Sequence, residues 1–179
     1  MSDFWVFGYG SLMWRPGFAF VESVTAHLAG ERRALCVYSW VHRGTPERPG
    51  LVLGLDRGGS CRGVAFRVDG ASRDEVVAYL REREMVTAVY REVWRTVRLD
   101  RPGRPAVPAL TYVVDRGHRQ YAGALAPEAV LRHVREGAGR SGANIDYVLN
   151  TAGHLRELGF RDRHLEWLAE KLRNQAPEN

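Results

Sequence analysis

The chain has 179 residues, 45% of them apolar and 26% charged, which suits a single globular domain over residues 1–179 and excludes a disordered or fibrous chain. Its net charge of +5 comes from arginine, Lys171 being the only lysine, and the arginines are interspersed with Asp and Glu, so no basic cluster marks a nucleic-acid binder. No apolar run approaches the length of a membrane span and no secretory pattern opens the chain; Cys36 and Cys61 are too few for a disulfide framework or a zinc site. The expectation is therefore a cytoplasmic protein with two buried, reduced thiols and no metal.

The first two-thirds of the chain reads mostly as strands. Phe4 to Phe7 is short and apolar, and Arg33 to Trp40 follows a turn expected at Gly30-Glu31. Leu51 to Leu55 and Gly63 to Val68 flank "DRGGSC", whose composition predicts a hairpin-like turn. Val93 to Leu99 sets Val93, Arg95 and Val97 against Trp94, Thr96 and Arg98 with period two, and Ala109 to Val114 follows the turn-rich "DRPGRPAVP". Ser72 with Glu75 has the spacing of a capping box ahead of "VVAYL". Pro127 opens a helix that stops near Gly137, Ile145 to Leu155 keeps helical spacing up to Gly159, and Asp162 caps a last helix with Leu165, Leu168, Ala169 and Leu172 on one face. Strands first and helices later predict an α+β fold, a curved sheet or small barrel with flanking helices.

Two places carry chemistry. The first is "FGYGSLMW" directly behind the first strand. Gly8 and Gly10 make a G-x-G, but the third glycine of a dinucleotide fingerprint would fall at Met13, and Pro16-Gly17 interrupts any helix that would follow. A phosphate loop would need Gly-Lys-Ser/Thr, and Ser11 lacks the G-x-S-x-G flanks of a nucleophile elbow. Two readings remain: a loop whose backbone amides face a carboxylate or an oxyanion, or a tight turn with aromatic packing. The second place is Glu84. At about 100° per residue, Val76, Val77 and Leu80 share a helix face; Glu84 lies near its centre and Glu82 points away. A carboxylate turned inward at a helix C-terminus is costly, so Glu84 is either functional or satisfied by an arginine such as Arg83 or Arg91.

The remaining candidates are less specific. His133, His154 and His164 have polar helical neighbours and are expected at the surface, and no histidine has metal-ligand spacing. "VHRGTPERPG", with His42 and Arg43, is a specificity loop or a plain connection. Tyr147 lies off its helix's apolar stripe, where a phenol can face either a pocket or solvent.

Taken together in order, "WVFGYGSLMWRPGF", "HRGTPERPGLVLGLDRGGSCRGVAFRV", "REMVTAVYREVW" and "AGRSGANIDYVLN" resemble the ChaC family of glutathione-specific γ-glutamylcyclotransferases, of the bacterial type, from about Phe4 to Leu158. The resemblance implies a γ-glutamylcyclotransferase-like fold, a small mixed barrel with flanking helices, and a cofactor-independent cleavage of glutathione to 5-oxoproline and cysteinylglycine. It implies Glu84 as general acid and base. It also implies a substrate cradle made of Val6, Phe7, Gly8, Tyr9, Gly10, Ser11 and Leu12, with Tyr147 near the substrate and Tyr90 as a pocket-lining residue. The expected partner is the small-molecule substrate alone, without nucleic acid or membrane, in a monomer or weak homodimer. Other γ-glutamyl substrates, or a non-catalytic regulatory role linked to cation transport, are the alternatives.

Overall fold

The computed structural model describes residues 2–174. In chain order its main elements are β1 (Phe4–Gly8), β2 (Glu22–Ser39), β3 (Gly50–Val68), α1 (Arg73–Glu84), β4 (Tyr90–Leu99), β5 (Ala106–Val114), α2 (Pro127–Glu136), β6 (Ala138–Gly139), β7 (Gly142–Ala143), α3 (Asn144–Glu157) and α4 (Arg163–Arg173). Strands β1 to β5 close a barrel in the order β1-β3-β2-β4-β5. Its pairings are antiparallel where β1 meets β3 and where β4 meets β2 and β5, while β1 and β5 close the ring in parallel. The expected mixed barrel with helices is therefore present.

The chain divides into two compact units. One comprises the chain up to Ala34 with Gly54–Arg119, and the other Leu35–Leu53 with the chain from Gln120 onward; β2 and β3 contribute residues to each. In the first unit every residue of β1 is buried, as its unbroken apolar run requires of a strand paired on both edges. Phe4, Val6, Val68, Leu110 and Tyr112 from the barrel join Val76 and Leu80 of α1 and Leu12 in one buried cluster. The inward face expected for Val76, Val77 and Leu80 is the face that α1 turns to this core.

Three local expectations are corrected. Gly30-Glu31 is not a turn but lies within β2, Gly30 taking φ +89°. "DRGGSC" is likewise interior to β3, with Gly58 at φ +100° and Gly59 at +68°. Long strands bend at such glycines, and sequence composition cannot tell a bend from a chain reversal. Ser72 precedes α1 without a side-chain cap bond; Asp69 instead accepts from the Ala71 amide and opens the short 3₁₀ turn that leads into the helix.

In the second unit the helix signals hold. Asp162 accepts from the Leu165 amide and caps α4, and Gly159 takes the positive φ of +75° that ends α3. His133 departs from the surface expectation: it is half-buried, its Nδ1 3.0 Å from the Pro49 carbonyl and its ring edge-on to Tyr38. The "HRGTPERPG" loop runs into Gly50, where a Cβ would overlap the Arg43 carbonyl. Asn144 takes up the next residue: its Oδ1 accepts from the Leu51 amide at 2.8 Å and its Nδ2 donates to the Leu51 carbonyl at 2.9 Å, all fully buried. Asn144→Ala would strand both backbone groups, so the variant should lose about 2–6 kcal/mol in urea denaturation, at about 1–3 kcal/mol for each buried unmet partner.

Candidate active site

The loop behind β1 is built by backbone geometry. After Gly8 the chain turns through a 3₁₀ segment, Ser11–Met13, in which the Met13 amide donates to the Gly10 carbonyl at 2.9 Å and the Arg15 amide to the Ser11 carbonyl at 2.8 Å. Gly63 on β3 runs so close that a Cβ there would overlap the Gly8 carbonyl oxygen and the Phe7 ring. Only glycine permits that approach, which presses the loop against the barrel wall.

Two arginines then grip the loop. Arg33 on β2 donates from Nε to the Tyr9 carbonyl and from Nη2 to the Arg62 carbonyl, each at 2.6 Å. Arg83, in the last turn of α1, donates from Nη2 to Ser11 Oγ at 2.9 Å and from Nη1 to the carbonyls of Arg15 at 2.6 Å and Pro16 at 3.2 Å. The Tyr79 hydroxyl lies 3.1 Å from the same Nη1. It reaches that position because Gly17, at φ +75°, has no Cβ to occupy the space.

Glu84 follows Arg83 directly. Its side chain is 18% exposed and its Oε1 lies 3.4 Å from Arg83 Nε. Burial pushes its carboxyl above the ordinary range, and the Arg83 charge opposes that shift without cancelling it. Glu82 is exposed, as helical geometry predicts. Of the two sequence readings of Glu84, the inward carboxylate and the arginine-satisfied carboxylate, the structure combines both, with Arg83 as the partner.

Beside this group lies a second polar network. Tyr112 of β5 is buried, and its hydroxyl donates to Glu92 Oε2 at 3.0 Å; Arg81 holds the same carboxylate through two bonds of 2.9 and 2.8 Å. The Arg81 bonds hold Glu92 below the usual carboxylate range, while burial, reinforced by the charges of Glu92 and Glu84, pushes the Tyr112 phenol upward.

The expected cradle residues divide by what they can offer. Val6, Phe7 and Leu12 are buried side chains of the core or barrel wall, and the Phe7 carbonyl already accepts from Thr111 Oγ1 at 3.0 Å. Gly8 and Tyr9 are buried as well, leaving Gly10, half-buried, and Ser11, exposed, as the backbone and hydroxyl surface of the loop. Tyr90 opens β4 and packs, half-buried, on the cluster that holds Leu12 and Tyr112. Loop, Glu84 and Tyr90 thus belong to one unit. Tyr147 belongs to the other, on α3, where its hydroxyl accepts from the Leu53 amide at 3.0 Å and the Arg43 guanidinium lies 5.6 Å from its ring centroid. Sequence reasoning missed Tyr79, Arg33 and Tyr112, and saw Arg83 only as a counter-charge. The i, i+4 spacing of Tyr79 and Arg83 ahead of Glu84 was the available signal. Among the described residues no group of three or more His, Cys, Asp or Glu is placed to hold a metal ion, and no helix is long and apolar enough to cross a membrane.

A five-stranded mixed barrel with a glycine loop and flanking helices is the fold of γ-glutamylcyclotransferases. A crystal structure of a glutathione-specific γ-glutamyl cyclotransferase from yeast superposes with a TM-score of 0.83, covering 97% of each chain at 20% identity. The family model described as ChaC-like protein matches residues 4–175, and the chain belongs to that family. It is 34% identical to the glutathione-specific γ-glutamylcyclotransferase of Escherichia coli (strain K12), over 98% of this chain and 75% of that one. It is 32% identical to γ-glutamylcyclotransferase 2-3 of Arabidopsis thaliana, over 98% and 91% respectively. With glutathione-specific γ-glutamylcyclotransferase 1 of Homo sapiens it shares 34% identity, over 97% and 80%.

The position of Glu84 has a stability consequence with a definite sign. Its carboxyl value is raised in the folded state, so the wild type loses stability as pH rises from the unfolded carboxyl value, about 4.3, towards the folded one. Glu84→Gln removes that cost while Arg83 keeps its oxygen acceptors on the loop and Tyr79. The variant should melt above the wild type at pH 7, and the gap should close below about pH 4, where both side chains are neutral. Paired calorimetric scans at the two pH values measure it.

Proposed function

We propose that the chain is a γ-glutamylcyclotransferase that converts glutathione to 5-oxoproline and cysteinylglycine, with Glu84 as its acid and base. The observation that carries this reading is a largely buried carboxylate, raised in proton affinity, bound to the same arginine that holds the glycine loop. The family membership and the printed names of the relatives support the substrate class.

The reaction asks little of the protein beyond placement. The α-amine of the γ-glutamyl group attacks its own γ-carbonyl carbon, so nucleophile and electrophile arrive already tethered, and folding the glutamyl chain removes most of the entropic barrier. Glu84, ionised, takes a proton from the α-ammonium group and frees the attacking lone pair. The new C–N bond closes a five-membered ring and leaves a tetrahedral oxyanion; the amides around Tyr9 to Leu12 and the Ser11 hydroxyl are suited to stabilise it or to grip the α-carboxylate. Collapse breaks the original amide bond: Glu84 returns its proton to the departing cysteinyl nitrogen, and the second proton, which the ring nitrogen sheds as it becomes the lactam N–H, goes to the freed amine, which leaves as ammonium. No water is consumed and Glu84 ends as it began.

Within this reading Gly10 and Ser11 contact substrate through backbone and hydroxyl, and Val6, Phe7, Gly8, Tyr9 and Leu12 complete the cradle by shaping the loop from beneath. Tyr90 lines the same side. Tyr147 is included on the strength of its family motif, its ring oriented by Leu53 and Arg43. We assign the activity to the cytoplasm and to a monomer or weak homodimer.

Incubation with glutathione, with 5-oxoproline and cysteinylglycine assayed, tests the proposal, and γ-glutamyl amino acids serve as the comparison. Wild type should release both products from glutathione; Glu84→Gln should lower kcat by about 10²–10⁴-fold while remaining folded. The acid limb of kcat/KM should lie above the ordinary carboxylate range of about 4.3, because the base must lose its proton to work. Product from γ-glutamyl amino acids alone would move the substrate assignment, and no product from either would favour a non-catalytic role.

A further inference from the structure

Arg83 makes more contacts than an ion pair with Glu84 requires. We propose that Arg83 is a positioning residue for the cyclotransferase reaction: one guanidinium turns Ser11 into a hydrogen-bond donor towards substrate and holds the Glu84 carboxylate, so that oxyanion-binding loop and acid/base are set by a single side chain. The inference rests on the functional reading above and deepens it.

A guanidinium carries donors only, so in the 2.9 Å contact between Arg83 Nη2 and Ser11 Oγ the serine oxygen must accept. The Ser11 proton then points away from Arg83, on a residue that is exposed. A bond from a cation withdraws density from Oγ and strengthens the remaining O–H as a donor. A carboxylate or a developing oxyanion is the acceptor such a donor suits, and the γ-glutamyl substrate supplies both.

Arg83 is itself immobilised. Nη1 is occupied by the Arg15 and Pro16 carbonyls and the Tyr79 hydroxyl, and Gly17 leaves the room that lets Tyr79 in. Nη1 is therefore committed to protein atoms and Nη2 is anchored on Ser11, so the guanidinium is fixed in place and acts through Ser11 and Glu84. Nε lies 3.4 Å from Glu84 Oε1. The charged group that acts on Glu84 is Arg83 on α1; the Glu84 charge in turn helps raise Tyr112 on β5, which is tied to Glu92 of β4 and through it to Arg81. Of these, Arg83 alone carries a positive charge in contact with the Glu84 carboxylate.

The test uses Arg83→Met, Arg83→Lys, Ser11→Ala and the Arg83→Met/Ser11→Ala double variant, with glutathione as substrate. Arg83→Met should lower kcat/KM about tenfold or more, the worth of one charge-assisted hydrogen bond, and should move the acid limb of the pH profile upward because Glu84 loses its counter-charge. Ser11→Ala should cost less in the Arg83→Met background than in the wild type, since the donor is already unset. Arg83→Lys keeps the charge without the fork, so it should restore the acid limb but not the Ser11 coupling; it answers both questions if the Met variant fails to fold. Titration of the Glu84 carboxyl by ¹³C NMR reads the Arg83 effect without turnover. A wild type inactive on every γ-glutamyl substrate, with the Glu84 titration still shifted by Arg83→Met, overturns the functional reading and keeps the coupling. An active wild type whose Arg83 variants show an unmoved limb, an unmoved titration and additive Ser11 losses overturns the positioning role.

Discussion

The site depends first on β1 being hydrogen-bonded along both edges, antiparallel to β3 from Phe4 opposite Val68 to Gly8 opposite Val64, and parallel to β5 at Trp5 and Val6. That double pairing closes the barrel and fixes the point in space where the chain must leave the sheet. A strand with one free edge could slide or fray, and a register slip of one residue would exchange Val6 for Phe7 on the core face. Here the end of β1 is pinned instead, and Gly8–Met13 begins from a rigid support. The close approach of Gly63 to the Gly8 carbonyl extends the same constraint one residue further.

On that support the protein places a group that opposes folding. Glu84 is mostly removed from water, has its proton affinity raised by burial and sits at the C-terminal end of α1, where the helix dipole also disfavours negative charge. Val76 and Leu80, buried two turns and one turn earlier on the same helix, hold α1 against the barrel core firmly enough to keep the carboxylate there. The tension has a chemical use in the proposed reaction. A carboxylate of ordinary affinity is a feeble base towards an ammonium group near pH 7, and one left unpaired in an apolar site would stay protonated. Burial in one direction and a single guanidinium in the other leave Glu84 able to take a proton and return it.

How much of this was legible in the sequence follows from the range of each signal. β1, α3 and α4 were readable because a buried apolar run, a positive-φ glycine and an Asp N-cap act within a few residues of one another. Glu84 was readable because helical periodicity alone separates it from Glu82. The continuity of β2 and β3 was not, since Gly30 and Gly58-Gly59 carry the composition of turns while serving as bends inside long strands. Asp69 displaced Ser72 as the cap because a 3₁₀ turn precedes α1, which the S-x-x-E spacing does not reveal. Arg83 was seen only as a counter-charge because its chief partners are carbonyl oxygens at residues 15 and 16, which leave no mark in a side-chain pattern. Tyr112 looked like any strand residue; its role appears only when Glu92 of the neighbouring strand stands beside it. Tyr147 entered through family resemblance, which spacing could not have supplied.

The same reasoning accounts for the unusual cation composition in physical terms. Many of the arginines carry an ion pair and some also reach backbone carbonyls: Arg32 and Arg116 share Asp56 and both bond the Arg57 carbonyl, beside the bend at Gly58 and Gly59. Arg33 bridges the Tyr9 and Arg62 carbonyls, and Arg83 bridges those of Arg15 and Pro16. These are places where the backbone bends or leaves the sheet and turns carbonyl oxygens out of the regular ladder, so each needs a donor from elsewhere. A lysine brings one mobile point of charge; an arginine brings five donors in a fixed plane and can satisfy two oxygens on different segments at once. A barrel whose long strands bend at glycines, and whose loop behind β1 is held through its backbone carbonyls, therefore gains more from arginine than from lysine.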